Sequence, residues 1–154
     1  MQLKDKSALL RYLKSQRLMG LATFDKKPWI CTIYYAVDKD FCLYFVSSPK
    51  SKHCQDIEKN NEVSCAIYDS HTLNSAKKTG VQMQGTASQV KGWERIKVIL
   101  KMWQKAAPGM EDVVNVKNMR NKVISSRAYK VKPTFIKFFN QKLYGEDGFR
   151  KFKF

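Results

Sequence analysis

The 154-residue chain has only two histidines, His53 and His71, and only four cysteines, at 31, 42, 54 and 65. With no Cys-x-x-Cys and no clustered histidines, no zinc site is expected. Nor does the cysteine spacing suggest a disulfide framework, so the thiols are expected reduced, three on strands and one in a helix as small buried hydrophobes. Cys31 and Cys42 fall on consecutive strands and could face each other. There is no Ser-His-Asp pattern and no paired-carboxylate signal, which argues against conventional hydrolytic chemistry. No apolar run reaches about 18 residues, so no membrane-spanning helix is expected. The opening Met-Gln-Leu-Lys-Asp-Lys lacks the apolar core of a secretion signal, and a cytoplasmic protein is the expectation. Acidic residues are scarce too, 13 against 29 Lys and Arg, for a net charge of +16.

What is present is a core. At 44% hydrophobic and 12% aromatic residues the chain is too apolar to be disordered, and residues 1–154 are expected as one domain. Half of the excess charge lies in Arg120 to Phe154, where ten Lys and Arg face only Glu146 and Asp147. Charge on this scale attracts polyanions and phosphorylated ligands without defining a fold. Tyr129, Phe135, Phe138 and Phe139 interleave with these lysines, a pattern suited to nucleic acid but equally to strand alternation. Residues 141–154 read as a basic tail. Solvated lysine faces are the simpler account of most of this charge.

Along the chain, Ser7 to Gln16 reads as a helix with an apolar stripe of Leu9, Leu10 and Leu13. Leu18 to Phe24 is a first strand, closed by the turn Asp25-Lys26-Lys27. A second strand runs from Pro28 to Val37. Its faces, Trp29, Cys31, Ile33, Tyr35 and Val37 against Ile30, Thr32, Tyr34 and Ala36, are both weakly polar. That predicts cover on both sides, a barrel interior on one and a ligand or partner subunit on the other. The turn Asp38-Lys39-Asp40 leads into a strand ending at Val46, and Val63 to Tyr68 forms the next. Residues 69–79 read as a surface loop. Gly80 to Ala87 is a fifth strand, in which Gly85 signals a bulge or a close approach. Trp93, Ile96, Leu100 and Trp103 recur at helical spacing as core packing, and a shorter helix is expected from about Glu111 to Lys122. Tyr129 to Lys132 and Thr134 to Phe139 are final strands bent at Pro133. This succession predicts an α+β domain organised around an antiparallel barrel.

The stretch Val-Ser-Ser-Pro-Lys-Ser-Lys-His, 46–53, carries the most functional information. A buried strand, Cys42 to Val46, delivers Ser47, Ser48 and Pro49 to a turn. Ser51 stands as N-cap of a helix running to Ile57 or Glu58. Hydroxyls, a helix N-terminus, Lys52 and His53 at one spot make a phosphate seat, since free amides and the positive end of the dipole face an incoming anion. An ordinary capped helix with a solvated lysine fits the same residues.

The ordered motifs L-A-T-F-D at 21–25, P-W-I-C-T-I-Y-Y-A-V-D at 28–38, L-Y-F-V-S-S-P-K-S-K-H at 43–53, N-N-E-V-S-C-A-I-Y at 60–68 and V-Q-M-Q-G-T-A at 81–87 carry a resemblance. With Y-K-V-K-P-T-F-I-K-F-F at 129–139 and G-F at 148–149, the chain resembles the pyridoxamine 5′-phosphate oxidase-like family, flavin-binding split β-barrel proteins. The resemblance implies an antiparallel split β-barrel of six to seven strands with flanking helices, a homodimer, and FMN in clefts between subunits. It implies that Ser47, Ser51, Lys52 and His53 hold the phosphate. Thr32, Ile33 and Tyr34 match the strand segment lying along the flavin ring, although plain strand packing explains them as well. Gln82 matches a polar position usually contributed by the partner subunit, with Gln84 close by, although a polar strand face accounts for both.

The departures from that pattern are specific. The true oxidase has an arginine and a lysine on its second strand where Cys31 and Ala36 stand, and its arginine-bearing C-terminal motif has no counterpart in 142–154. A thiol cannot replace a bidentate anion grip, so pyridoxamine phosphate oxidase activity is not expected. The expected function is an FMN-binding protein, a flavin-dependent oxidoreductase acting on a small-molecule redox substrate, in which the flavin carries the hydride chemistry. The alternative is a nucleic-acid-binding or other polyanion-binding module using the basic C-terminal segment. A third possibility is another planar cofactor, a deazaflavin or a haem with His53 or His71 as axial ligand.

Overall fold

The computed structural model describes residues 3–154. Helix α1 (Leu3–Ser15) buries Leu9 and Leu13 against the barrel. β1 (Leu18–Asp25) alternates, with Met19, Leu21 and Thr23 inside. It pairs in a hairpin with β2 (Lys27–Tyr34) around Lys26, whose φ of 64° lies in the left-handed region.

The second strand does not run on to Val37. Tyr35 is buried, its N–H donating to the Arg17 carbonyl at 3.0 Å and its hydroxyl to the Leu13 carbonyl at 2.6 Å. This anchor on the end of α1 lifts the chain out of β2 and across to β3 (Ala36–Val37). Asp38 then organises the turn: Oδ1 accepts from the N–H groups of Asp40 and Cys42, and Oδ2 from the Tyr44 hydroxyl. β4 (Leu43–Ser47), α2 (Lys52–Lys59), β5 (Glu62–Tyr68) and β6 (Thr79–Gln89) follow. Next come α3 (Trp93–Ala106), α4 (Val116–Arg120), β7 (Arg127–Asn140), α5 (Gln141–Tyr144) and β8 (Phe149–Lys153).

The strands form one antiparallel sheet in the order β2-β1-β5-β6-β7-β4-β3, with β8 beside β7. The two ends of that order, β2 and β3, are consecutive in the chain. The sheet is therefore curled on itself, joined there by the covalent chain at Tyr35 rather than by a ladder of hydrogen bonds. That is a split β-barrel in an α+β domain.

β7 is its spine. One edge pairs with β6 throughout, and the other is shared between β4, along 127–131, and β8, along 135–139. Instead of two strands bent at Pro133 there is one, because Pro133 falls in the gap between β4 and β8, where no ladder donor is needed. The register shifts between Gln84 and Gly85, and a Cβ on Gly85 would collide with the backbone of Lys132 and Pro133. The expected bulge is there.

The barrel interior is filled by Leu21, Phe45, Met83, Tyr129, Ile136, Phe138 and Phe152 among others. A second cluster lies outside it, where Ile96, Ile99, Leu100 and Trp103 of α3 cover Ala36, Cys42 and Tyr44. Cys31 packs on the first cluster and Cys42 in the second, so the two thiols do not face each other, and all four cysteines are free. The helix expected over 111–122 is only the five residues of α4. Asn118 Nδ2 donates to the carbonyls of Asp112 and Val113, and Asn115 Nδ2 to those of Glu111 and Asp112, so side-chain amides replace helical bonds there. The closing residues 141–154 are built into the fold through α5 and β8, with Phe152 in the core.

Candidate cofactor site

β4 ends at Ser47 and α2 begins one short turn later, with Ser51 at the N-cap position. Ser47 Oγ lies 2.7 Å from His53 Nε2, Ser51 Oγ 3.1 Å from the same nitrogen, and the two hydroxyls 3.3 Å apart. Ser51 donates to the Ser48 carbonyl at 2.7 Å and caps no backbone amide of the helix. The N-cap position is as expected, but its hydroxyl does not do the capping. The amides of the first turn of α2 have no side-chain cap from Ser51, beside the Ser47–Ser51–His53 group. His53 is half-buried, its ring 6.2 Å from that of Phe45, and burial holds its imidazole below the ordinary value, hence neutral at pH 7.

Lys52 adjoins this group but is already engaged. Its ammonium pairs with Asp56, which is 1% exposed and also accepts from Thr23 Oγ1 at 2.8 Å. The lysine remains 46% exposed, so its charge is shared between a buried carboxylate and the space before the helix. A further cation stands on the neighbouring strand, from far along the sequence. Arg127, at the start of β7, stands directly opposite Ser47 in the antiparallel register, and facing residues present their side chains on the same side. Its guanidinium donates to the carbonyls of Ser125 and Ser126. No local pattern marks this arginine, because the pairing joins residues 80 positions apart. The second strand contributes no cation of its own: Cys31 lies against the core with its thiol pushed up by burial, and Ala36 is covered by α3.

The remaining expected residues lie on the sheet. Thr32 and Tyr34 point outward and are exposed, whereas Ile33 turns inward against the barrel core. In the single chain, β2 is an edge strand and neither of its faces is fully covered, with Ile30 67% exposed. Gln82 and Gln84 share the outward face on β6, three strands from β2, about 14 Å away. The registers define two rows across this face. One runs Thr32, Gly20, Ala66, Gln82, Lys137; the other runs Ile30, Ala22, Ser64, Gln84, Phe135. Small residues in the middle leave a trough of about 340 Å³, walled by Ile30, Gln82, Gln84 and Phe135.

One chain therefore presents two separate groups. Ser47 stands beside Arg127 and Gln82 beside Lys137, ten residues further along β7, about 33 Å of strand. The Ser47–Ser51–His53 group and the glutamines are not brought together within a protomer. Among the described residues no cluster of three or more His, Cys, Asp or Glu is placed to hold a metal ion, and no helix is long and apolar enough to cross a membrane.

A barrel split between β2 and β3, with the strand–turn–helix of β4 and α2 beside it, defines the split-barrel class. The family model described as pyridoxamine 5′-phosphate oxidase matches residues 5–138, and the chain belongs to that family. No curated protein matches it in sequence. Among solved structures, a NimC/NimA family protein from Clostridium acetobutylicum is 16% identical, with a TM-score of 0.64 over 97% of this chain and 93% of its own. ChuZ of Campylobacter jejuni is 16% identical with a TM-score of 0.75, covering 99% of this chain and 61% of its own. A heme-binding protein from Mycobacterium smegmatis is 14% identical with a TM-score of 0.69, covering 99% of this chain and 58% of its own. These likenesses are likenesses of fold.

Proposed function

We propose that the chain binds FMN and works as a flavin-dependent oxidoreductase on a small-molecule substrate, as a homodimer with the cofactor between protomers. The observation that supports this most is the convergence of Ser47, Ser51 and His53 at a helix start whose amides have no side-chain cap. Two hydroxyls, free amides, the dipole of α2 and the cations Lys52 and Arg127 suit a phosphate dianion. Cys31 and Ala36 leave the second strand without a cation, and Arg127, opposite Ser47 on β7, would have to turn from the Ser125 and Ser126 carbonyls to meet the phosphate.

When bound, the flavin supplies the hydride or electron chemistry. The work of this chain is to bind and orient it. The outer edge of β2 has no neighbouring strand, so its N–H and C=O groups are free to meet the polar rim of a planar ring. One of them, the Tyr34 carbonyl, accepts from Trp103 Nε1 at 3.3 Å, which ties that end of the edge to α3. Thr32 adds a hydroxyl, and Ile33 serves through its backbone. Gln82 and Gln84, remote from the seat in their own chain, would reach a cofactor seated on the other protomer.

The likeness to a heme-binding protein raises the haem reading. His53 gives it no support, since Nε2 faces the Ser47 and Ser51 hydroxyls and would have to leave both to ligate iron. His71 lies exposed in the loop after β5.

FMN and riboflavin titrations, followed by flavin fluorescence, test the reading. FMN should bind one per chain and at least tenfold tighter than riboflavin, and the Ser47→Ala/Ser51→Ala double variant should remove that preference. Equal affinity for the two flavins, or no FMN binding by folded protein, would reject it.

A further inference from the structure

A second flank of the barrel, away from the trough, carries a cavity of its own. The registers set Ser88 of β6 beside Lys130 of β7, Lys130 beside Tyr44 of β4, and Tyr44 beside Ala36 of β3. α3 covers the Ala36 end of this row, where Ile99 and Leu100 pack with Ala36, Cys42 and Tyr44. Between the Ser88 end and the first half of α3 lies a space of about 760 Å³, against about 340 Å³ for the trough. Small-molecule sites run from about 300 to 1,000 Å³, so the space is of ligand size. Its lining is divided. Tyr44 and Ile99 are 8% and 7% exposed and give it an apolar floor, beside which Val98 is left 68% exposed. The Tyr44 hydroxyl donates to Asp38 Oδ2 at 2.8 Å, which fixes the ring.

Three cations, Lys91, Arg95 and Lys130, line the same space against one acid, Glu94. Among the described residues none of the four has an oppositely charged partner within salt-bridge distance; the ion pairs are Lys52–Asp56, Lys59–Asp25 and Arg150–Asp5. Solvated lysines are the simple account of charge on this chain, but Lys130 is half-buried, its Nζ 5.8 Å from the centroid of the Tyr44 ring. α3 also begins here, and its N-cap, Gly92, makes no side-chain bond to the first-turn amides. We propose that this cavity binds an amphipathic carboxylate, one carboxylate on an apolar body, at a site separate from the flavin. The Arg95 guanidinium has the fork that a carboxylate matches, and Lys91 and Lys130 add positive charge. Glu94 at the same rim repels a dianion more than a monoanion, which favours a carboxylate over a phosphate. The apolar body covers Ile99, the Tyr44 ring and the bare Val98, removing them from water. Tyr44 precedes Ser47 by three residues, about 10 Å of strand. It belongs to the cluster outside the barrel whereas Phe45 lies inside, so cavity and phosphate seat are distinct places on β4. The site stands whether or not the chain takes a flavin.

The test uses the full chain and three probes: 2-naphthoate, its neutral analogue 2-naphthamide, and acetate. Each is titrated while the backbone amide signals of Val90, Lys91, Arg95 and Lys130 are followed by NMR. 2-Naphthoate should shift these signals saturably and bind at least tenfold more tightly than either of the others. The Arg95→Gln/Lys130→Gln variant should weaken it at least tenfold. Should that variant fail to fold, Arg95→Gln alone, at an exposed residue, should still weaken it at least threefold. Saturating FMN, or the Ser47→Ala/Ser51→Ala variant, should leave naphthoate affinity unchanged. Equal binding of 2-naphthamide would take the cations out of recognition, and equal binding of acetate would take out the apolar body; either overturns the proposal. Unmoved signals, or full affinity in the folded cation variants, would overturn it too. Competition with FMN would move the naphthoate to the flavin site and overturn the separate cavity. Naphthoate binding in a protein that takes no FMN would leave the cavity standing and remove the flavin reading alone.

Discussion

Asp56 shows how a single side chain joins stability to the site. It is a buried carboxylate between Lys52 and Thr23, and the hydrogen bond from Lys52, then that from Thr23, hold it below the usual carboxylate range. A carboxyl group depressed in the folded state stabilises the fold at pH values above its unfolded pKa, about 4, and that contribution fades as pH falls through the folded value. Thr23→Val keeps the shape and removes one donor, which should cost about 1–3 kcal/mol in urea unfolding. Lys52→Ala should weaken FMN binding and also lower stability, since it strips a buried charge of its partner. His53 works in the other direction. Burial pushes its imidazole down, so protonation opposes the fold, and the apo protein should lose stability as pH drops below about 6.5. A phosphate in the seat favours the imidazolium, so FMN should bind more tightly at pH 6.5 than at pH 8. His53→Gln should flatten that dependence; an unchanged slope would place His53 outside the seat. Ser47, Ser51 and His53 were legible in the sequence because seven consecutive residues and a helix start bring them together. Thr23–Asp56 and Arg127 were not, because only the sheet places them there.

At the scale of elements, most strands and α3 are written in the alternation and helical spacing of their apolar residues. The exceptions have identifiable causes. The pattern of β2 continues through Val37, but two hydrogen bonds from Tyr35 to the end of α1 cut the strand there, and no local signal encodes a contact with residues 13 and 17. Pattern also suggested a short helix from about Glu111 to Lys122, where asparagine side chains captured backbone carbonyls instead. Gly85 was legible as a bulge, though its partners were not. Gly85→Ala would drive a methyl group into the backbone of Lys132 and Pro133, which cannot swing aside as a side chain can. A loss of about 1–3 kcal/mol is expected, read by thermal or urea unfolding. It should reach the trough as well, because the bulge sets the register that aligns Gln84 with Phe135.

For the whole molecule, the net charge of +16 meets few ion pairs among the described residues, so weak, salt-sensitive adhesion to polyanions is expected as a background property. Deleting residues 141–154 cannot test a specific role for the basic segment, since Phe152 would leave the core with it. Neutralising Lys142 and Lys153 is the cleaner probe. Homodimer formation would cover the outward face that β2 leaves bare. Ala66→Arg, placing a long cation in the floor of the trough, should yield monomers in size-exclusion chromatography with light scattering and lose FMN with them. A dimer that persists in this variant would move the interface elsewhere. The place of β7 also has a temporal consequence. Apart from the two residues of β3, β4 has no neighbour until residues 127–131 exist, about 80 positions later. At roughly 5–20 residues per second, a ribosome needs about 4–16 s to make that stretch. The turn that opens α2 therefore emerges early and waits, unsupported on one flank, so nascent chains arrested before Arg127 should be unable to capture a flavin however long they are given.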